Sequence, residues 1–464
     1  MRDLLSDILS SESGFVELRY HNKEFRSFSA EKGRIESSAS KKRMGVGVRV
    51  LVDGNWGFSS VGSLDREAIL GAIKKAKESA RLSQGIRQAK VVIPPTPLLA
   101  VGSFPGPGIQ DFKNKSIEEK ISLVYDTHQK SLSFSNKLSS VGCGFTEIFE
   151  EKSIVTTDGA NVEYSVYRPE FRVSASASSD GSMETGGESI GVMGGWDCLF
   201  REKDPLQLSE DACKTAVDLL NSSLPEGGFS TVILSPSIVG LLVHEAIGHT
   251  VEADFVLSGS VAQGMLGKKV GSELVTLCDS GLEEYYPGAC GTQPIDDEGI
   301  RTEKTVIIQN GILKSYLHNR ETAAHFGVNP TGSARSWEYS DIPLIRMRNT
   351  YLEPGESLLE DMIKDTEDGY FLEGARNGQA DSTGEFMFAV QKAWRIQKGK
   401  ITGLHKGVTV TGQAFDVLSN VDRVSKEFKW DLGSGHCGKG QPAKVDAGGP
   451  YVRTKVLLGG KSSG

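Results

Sequence analysis

Apolar residues recur at helical spacing over the first dozen positions, where Leu4, Leu5, Ile8 and Leu9 share one face and predict an amphipathic helix. From about 15 to 60 the pattern changes to short alternating segments. Among them is "GVGVRVLVDGNWGFSS", in which Asp53-Gly54 suits a type I′ hairpin turn. The helical period returns in "LDREAILGAIKKAKESARL", with Ile69, Ile73 and Ala76 on one face. A linker-like stretch punctuated by Pro94, Pro95, Pro97, Pro105 and Pro107 follows. "SIEEKISLVYDTHQKSL" then opens with a capping-box pattern, Ser116 followed by Glu119. More strands lead to a helix around 205 to 222. "LPEGGFS" predicts a boundary between an N-terminal α+β domain, residues 1–225, and a C-terminal domain, residues 226–464.

The second half is strand-rich. "EKTVIIQNGILKSYL" reads as a hairpin on Asn310-Gly311, and "AVQKAWRIQKGKITGLHKGVTVTG" as strands joined near Lys398-Gly399. Helices are expected at 236 to 248 and 318 to 326. Strands and helices do not alternate regularly, so the pattern predicts an α+β fold with mostly antiparallel sheets.

Composition narrows the function classes. A formal charge of −8 over 464 residues argues against nucleic acid as a main partner, since phosphate binding wants basic clusters. Cys143, Cys198, Cys213, Cys278, Cys290 and Cys437 are scattered, with no C-x-x-C pair, which points to a reducing compartment. The N-terminal "MRDLLSDILSSES" lacks the apolar core of a secretory signal. The longest apolar stretch, Val232 to Val243, is broken by Ser235, Pro236 and Gly240, so no membrane partner is expected and the cytoplasm is the expected location.

The chemistry concentrates in "LLVHEAIGHTVEADF", residues 241–255. Its His244-Glu245-Ala246-Ile247-Gly248-His249 is one residue longer than the zinc-protease signature H-E-x-x-H. On an ideal helix, with a capping Ser235 and Pro236 at its first turn, the two imidazoles would stand roughly 140° apart and could not share an ion. A π-type bulge, or a helix that ends at Gly248, brings them to about 40° and keeps Glu245 where a general base is needed. Gly248 suits such a turn because it tolerates backbone angles that other residues avoid. A third ligand must come from elsewhere: Glu252 and Asp254 are near in sequence, and Cys437, beside His436 in "DLGSGHCGKGQP", is distant.

"HEAIGHTVEADF" with "HCGKGQ" far downstream resembles the TldD/PmbA family of metalloproteases, on the TldD side, which carries H-E-x-x-x-H. The resemblance extends over "GRIESSASKKRMGVGVRVLVDGNWGFSS", "DDEGIRTEKTVIIQNGILKSYLHNRETAAHFG", "TGSARSW", "PLIRMRNTYLEPG" and "NGQADSTGEFMFAVQKAWRIQKGKITG", nearly the whole chain. It implies that His244, His249 and Cys437 bind zinc (Zn2+) and that Glu245 activates the water. It further implies a homodimer, or a heterodimer with a PmbA-like paralogue, that cleaves unfolded or flexible peptides held mainly by main-chain hydrogen bonds. Two other functions are compatible with these residues. One is a zinc amidohydrolase acting on a non-peptide amide; the other is a non-catalytic regulator of a partner protein with a structural zinc, as family members have been described as modulators of DNA gyrase.

Several residues carry a functional and a bland reading together. His436 is either a neighbour of the site or an oxyanion donor, and Glu252 and Asp254 either orient ligands or cap a helix. His318, Arg320, Arg346 and Tyr339 are candidate oxyanion donors that no motif selects. Arg346 and Asn349 are also expected to hold strands together. "GSGHCGKG" has phosphate-loop spacing, but Gly440 stands where the loop needs Ser or Thr, which excludes it. Asp296-Asp297-Glu298 is read as a turn before the strand at Thr305, in preference to a cation site.

Overall fold

Left-handed residue pairs close five hairpins among the described residues: Lys32-Gly33, Asp53-Gly54, Asp180-Gly181, Asn310-Gly311 and Lys398-Gly399. In each, the first residue has φ between 46° and 52° and the glycine between 71° and 79°. This is the twist that matches flanking strands. The computed structural model describes residues 1–85 and 90–461.

The N-terminal half builds a seven-stranded sheet in the order Asn55–Val61, Arg34–Val52, Phe15–Glu31, Leu138–Thr156, Asn161–Ser179, Val101–Pro105, with Ser182–Gly191 also pairing Asn161–Ser179. Only Val101–Pro105 runs parallel to its neighbour. The alternating segments expected between 15 and 60 are in fact two long strands of 17 and 19 residues, followed by the short Asn55–Val61. The outer half of Arg34–Val52, mostly exposed and polar on both faces, gave the sequence no alternation to read. Helices Arg2–Leu9 and Arg66–Leu82 cover one end of the sheet, burying Leu5, Ile8, Ile69 and Ile73 against Val16, Val46 and Val48. Ile117–Ser131 and Pro205–Leu220 cover the other, around Phe145, Phe171 and Ala212. The capping box of Ser116 and Glu119 is formed.

The second half folds around Asp446–Gly459. This strand pairs with Gly228–Leu234, Val408–Gln413 and Arg423–Trp430 antiparallel and with Asn349–Leu352 parallel, so it is the hub of an eleven-stranded sheet. The fold is α+β, with mostly antiparallel pairing. Strand Gly228–Leu234 leads directly into the helix that carries His244, and that helix lies across the hub. Its Gly240 packs on the backbone of Ala447 and Gly448, where a Cβ would come within 2.9 Å. The largest apolar cluster, from Val232 and Ile238 through Ile247 to Leu458, packs around the helix and leaves Glu245 and His249 partly exposed.

The two halves meet through charges. Asp296, Asp297 and Glu298 form the expected turn, closed by the Gly299 amide on the Asp296 carbonyl at 3.1 Å, and all three side chains are fully buried. Asp297 binds Lys152 Nζ at 2.8 and 2.9 Å and accepts from Ser336. Glu298 takes Arg49 at 2.5 Å and the Arg320 amide at 2.7 Å. Asp296 accepts the amides of Glu298, Ile300 and Ala334. Burial pushes Asp297 up, but the Lys152 and Arg19 cations overcome it and hold the carboxyl at about 2.

Candidate metal centre

The helix bearing the motif starts where Ser235 and Pro236 predict, but the Ser235 hydroxyl pairs with Ser237 Oγ at 3.1 Å and makes no cap bond. Pro236–Leu241 is α-helical, and Leu242–Gly248 then widens into a π-helix, in which the His249 amide donates to the His244 carbonyl five residues back. A short 3₁₀ turn, His249–Val251, ends the run. The extra residue is absorbed in this wide turn, and the two imidazoles converge: their centroids are 5.3 Å apart with the rings nearly perpendicular, at 82°.

Gly248 has a different role from the one its flexibility suggested. Its φ of −54° and ψ of −48° are ordinary right-handed values. The constraint is space, because a Cβ there would sit 1.8 Å from Met347 Sδ. Glycine lets the wide turn press against Met347.

Cys437 arrives on a two-stranded hairpin, His436–Gly438 against Pro442–Lys444. Arg346, fully buried, donates to the carbonyls of Cys437 at 2.6 Å and Gln441 at 2.7 Å and so clasps both sides of that hairpin. Cys437 Sγ lies 3.3 Å from His249 Nε2, and the donor atoms of His244, His249 and Cys437 all fall within 4.8 Å of one another. Neither ring nitrogen of His244 meets a hydrogen-bond partner among the described residues, though the ring is only 3% exposed. A buried imidazole left without a partner costs free energy unless something else binds it. Two imidazoles and a thiolate are the donor set zinc favours, so the residues fit such an ion.

The local electrostatics agree. Burial pushes the Cys437 thiol up, but the adjacent imidazoles outweigh it and bring it down to about 4. Burial lowers His249, while Cys437 and Glu252 raise it to a net value of about 10. His244 is also raised, burial being overcome by the Cys437 thiolate and Glu245. Glu245 reaches to 3.7 Å from His249 Nε2 on the open side of the cluster, with 27% of its side chain exposed.

The remaining candidates disperse. His436, next to Cys437 on the strand, faces the other way and is exposed, its ring 5.7 Å from Trp337. His318 is buried beside Thr322, and burial lowers it to about 4. Arg320 is ion-paired with Asp158 in the junction between the halves, and Tyr339 lies against Gly45 and Gly47. Asn349 binds Thr292 Oγ1 at 3.0 Å within the sheet. Glu252 and Asp254 both engage Lys439, at 2.7 and 2.8 Å, and Glu252 also stands 3.5 Å from His249 Nδ1. Lys439 was missed in the sequence, where its place in the discarded phosphate loop hid it, although its spacing of two from Cys437 is a usable signal.

Three domain models of one family match the chain: PmbA/TldA metallopeptidase domain 1 over residues 16–80, the central domain over 110–220 and the C-terminal domain over 227–459. A metalloprotease of Methanocaldococcus jannaschii is 35% identical over 445 residues, covering 95% of this chain and 96% of that protein. A zinc metalloprotease TldD homologue of Saccharolobus solfataricus is 30% identical over 430 residues, 89% of each chain. The fold matches the crystal structure of TldE from Thermococcus kodakarensis with a TM-score of 0.80 at 18% identity, over 98% of this chain and 99% of that one.

Proposed function

The chain belongs to the TldD/PmbA metallopeptidase family, and from that premise we propose that it is a zinc-dependent peptidase acting on unfolded or flexible peptides. The observation that carries the reading is the convergence of His244, His249 and Cys437 through a π-helical turn, with the Glu245 carboxylate on the open side. In this reading the three side chains hold the ion. When bound, zinc lowers the pKa of water and polarises a carbonyl. Glu245 takes the proton of the attacking water and passes it to the leaving amine. Arg346 fixes the backbone of Cys437 so that the thiolate stays in line with both imidazoles.

Within the proposal the working unit is a homodimer or a heterodimer with a PmbA-like paralogue, which sedimentation of the chain alone and mixed with such a paralogue would test. Six cysteines without a disulfide favour a reducing compartment such as the cytoplasm, and no helix among the described residues is long and apolar enough to cross a membrane.

The test is zinc analysis of the purified protein together with digestion of an unfolded peptide, with and without chelator. One equivalent of zinc and chelator-sensitive cleavage are expected. Full activity in metal-free protein would refute the proposal.

A further inference from the structure

The two ligand-bearing elements are far apart in sequence, and one buried contact joins them next to the ligands. Glu252 follows His249 by three residues, and its side chain is fully buried. Its Oε2 lies 3.5 Å from His249 Nδ1 and 2.7 Å from Lys439 Nζ. Lys439 follows Cys437 by two residues, at the turn of the hairpin. Its ammonium is further held by Asp254 Oδ1 at 2.8 Å and the Ile345 carbonyl at 3.1 Å, and it lies over the Phe255 ring at 4.2 Å.

We propose that Glu252 and Lys439 form a latch that positions the ligand set, Glu252 aiming the His249 ring while Lys439 locks the Cys437 hairpin to the end of the π-turn. The proposal rests on the zinc reading above. The geometry gives each partner a separate task. A carboxylate facing Nδ1 keeps the proton on that nitrogen and so leaves Nε2, the atom 3.3 Å from Cys437 Sγ, as the electron-pair donor. The ammonium supplies the counter-charge that lets a carboxylate stay ionised with no solvent contact. Neither side chain touches substrate or performs chemistry; both are positioning residues.

The latch explains why a thiolate delivered from 188 residues away can meet a histidine with little freedom of its own. It differs from the Arg346 clasp, which grips hairpin carbonyls and touches neither histidine. The Glu252–Lys439 pair makes the distance between the two ligands depend on a side-chain contact.

Zinc affinity, measured by competition with a chromophoric chelator, tests this with Glu252→Gln, Lys439→Met and the double variant. The absorption spectrum of the cobalt-substituted protein reports the ligand set. Glu252→Gln should weaken zinc binding about 10–100-fold, with one site retained. Lys439→Met should weaken it about tenfold, and the double variant should lose less than the product of the two single effects, because the two side chains share one contact. Cobalt bands should shift in both single variants. Should Glu252→Gln fail to fold, as far-UV circular dichroism would show, Lys439→Met carries the same comparison. Unchanged affinity and unchanged cobalt spectra in the folded variants would overturn the latch and leave the zinc reading standing. Wild-type protein that takes up no zinc would overturn both.

Discussion

Among the buried clusters of titratable side chains, the one between the halves and the one around the π-turn differ in how completely the protein satisfies them. In the junction between the halves, Asp296, Asp297 and Glu298 each find cations or amides, so that cluster is closed. Around the π-turn, His244 meets no hydrogen-bond partner among the described residues, while a thiolate and a second imidazole lie within 4.8 Å of it. Buried charge is therefore no sign of a site by itself. What separates chemistry from cohesion is the convergence of two imidazoles and a thiolate on one point, beside a carboxylate that keeps access to solvent.

The comparison can be broken most severely at Glu245. Glu245→Gln should lower kcat for peptide cleavage by about 10²–10⁴-fold, as loss of a general base does, while zinc content by metal analysis stays at the wild-type level. A variant that still cleaves at the wild-type rate removes the base from the mechanism. In the closed cluster the matching change is Lys152→Met, which leaves the buried Asp297 carboxylate without its cation. Urea unfolding should show a loss of about 3–5 kcal/mol, with zinc affinity of the folded fraction unaltered. Zinc affinity falling in step with stability would mean that the two clusters are one unit.

Acid sharpens the same contrast. Asp297 titrates at about 2 in the fold against an ordinary value near 3.8, so its stabilising contribution is present above pH ~4 and is lost as pH falls through about 2. That shift corresponds to about 2 kcal/mol, and Lys152→Met should flatten this part of the acid limb in urea titrations between pH 5 and pH 2. The smallest effect is expected at Gly248→Ala, where the added methyl meets Met347. Thermal or urea unfolding should register about 1–3 kcal/mol of overpacking, and Met347→Ala in the same chain should recover part of it. A Gly248→Ala protein as stable as wild type would show that the π-turn yields easily.

Much of this was legible before any coordinates. Hairpin turns were readable because left-handed backbone selects Asp-Gly and Asn-Gly locally, as at Asp53-Gly54 and Asn310-Gly311. Spacing alone left two ways for imidazoles five residues apart to face one direction, a π-type bulge or a helix ending at Gly248, and the structure has the first. What failed depends on contacts distant in sequence. The turn at Asp296-Asp297-Glu298 was legible but its burial was not, because nothing nearby in the chain announces Lys152 or Arg49. Gly248 was assigned to backbone freedom, whereas its neighbour Met347 decides the matter. Arg346 looked like a catalytic candidate because a buried arginine and an oxyanion donor have the same sequence signature; only the carbonyls of Cys437 and Gln441 distinguish them.

The hub strand has a consequence for the order of events during synthesis. Asp446–Gly459 joins four strands that are all made before it, so the eleven-stranded sheet cannot close until that segment has left the ribosome. Both histidines emerge long before Cys437, and the hairpin bearing the cysteine comes out only just ahead of the hub. A nascent chain thus exposes an incomplete chelate through most of its translation. On the proposed zinc reading, the three donors His244, His249 and Cys437 come together only in the last moments of folding.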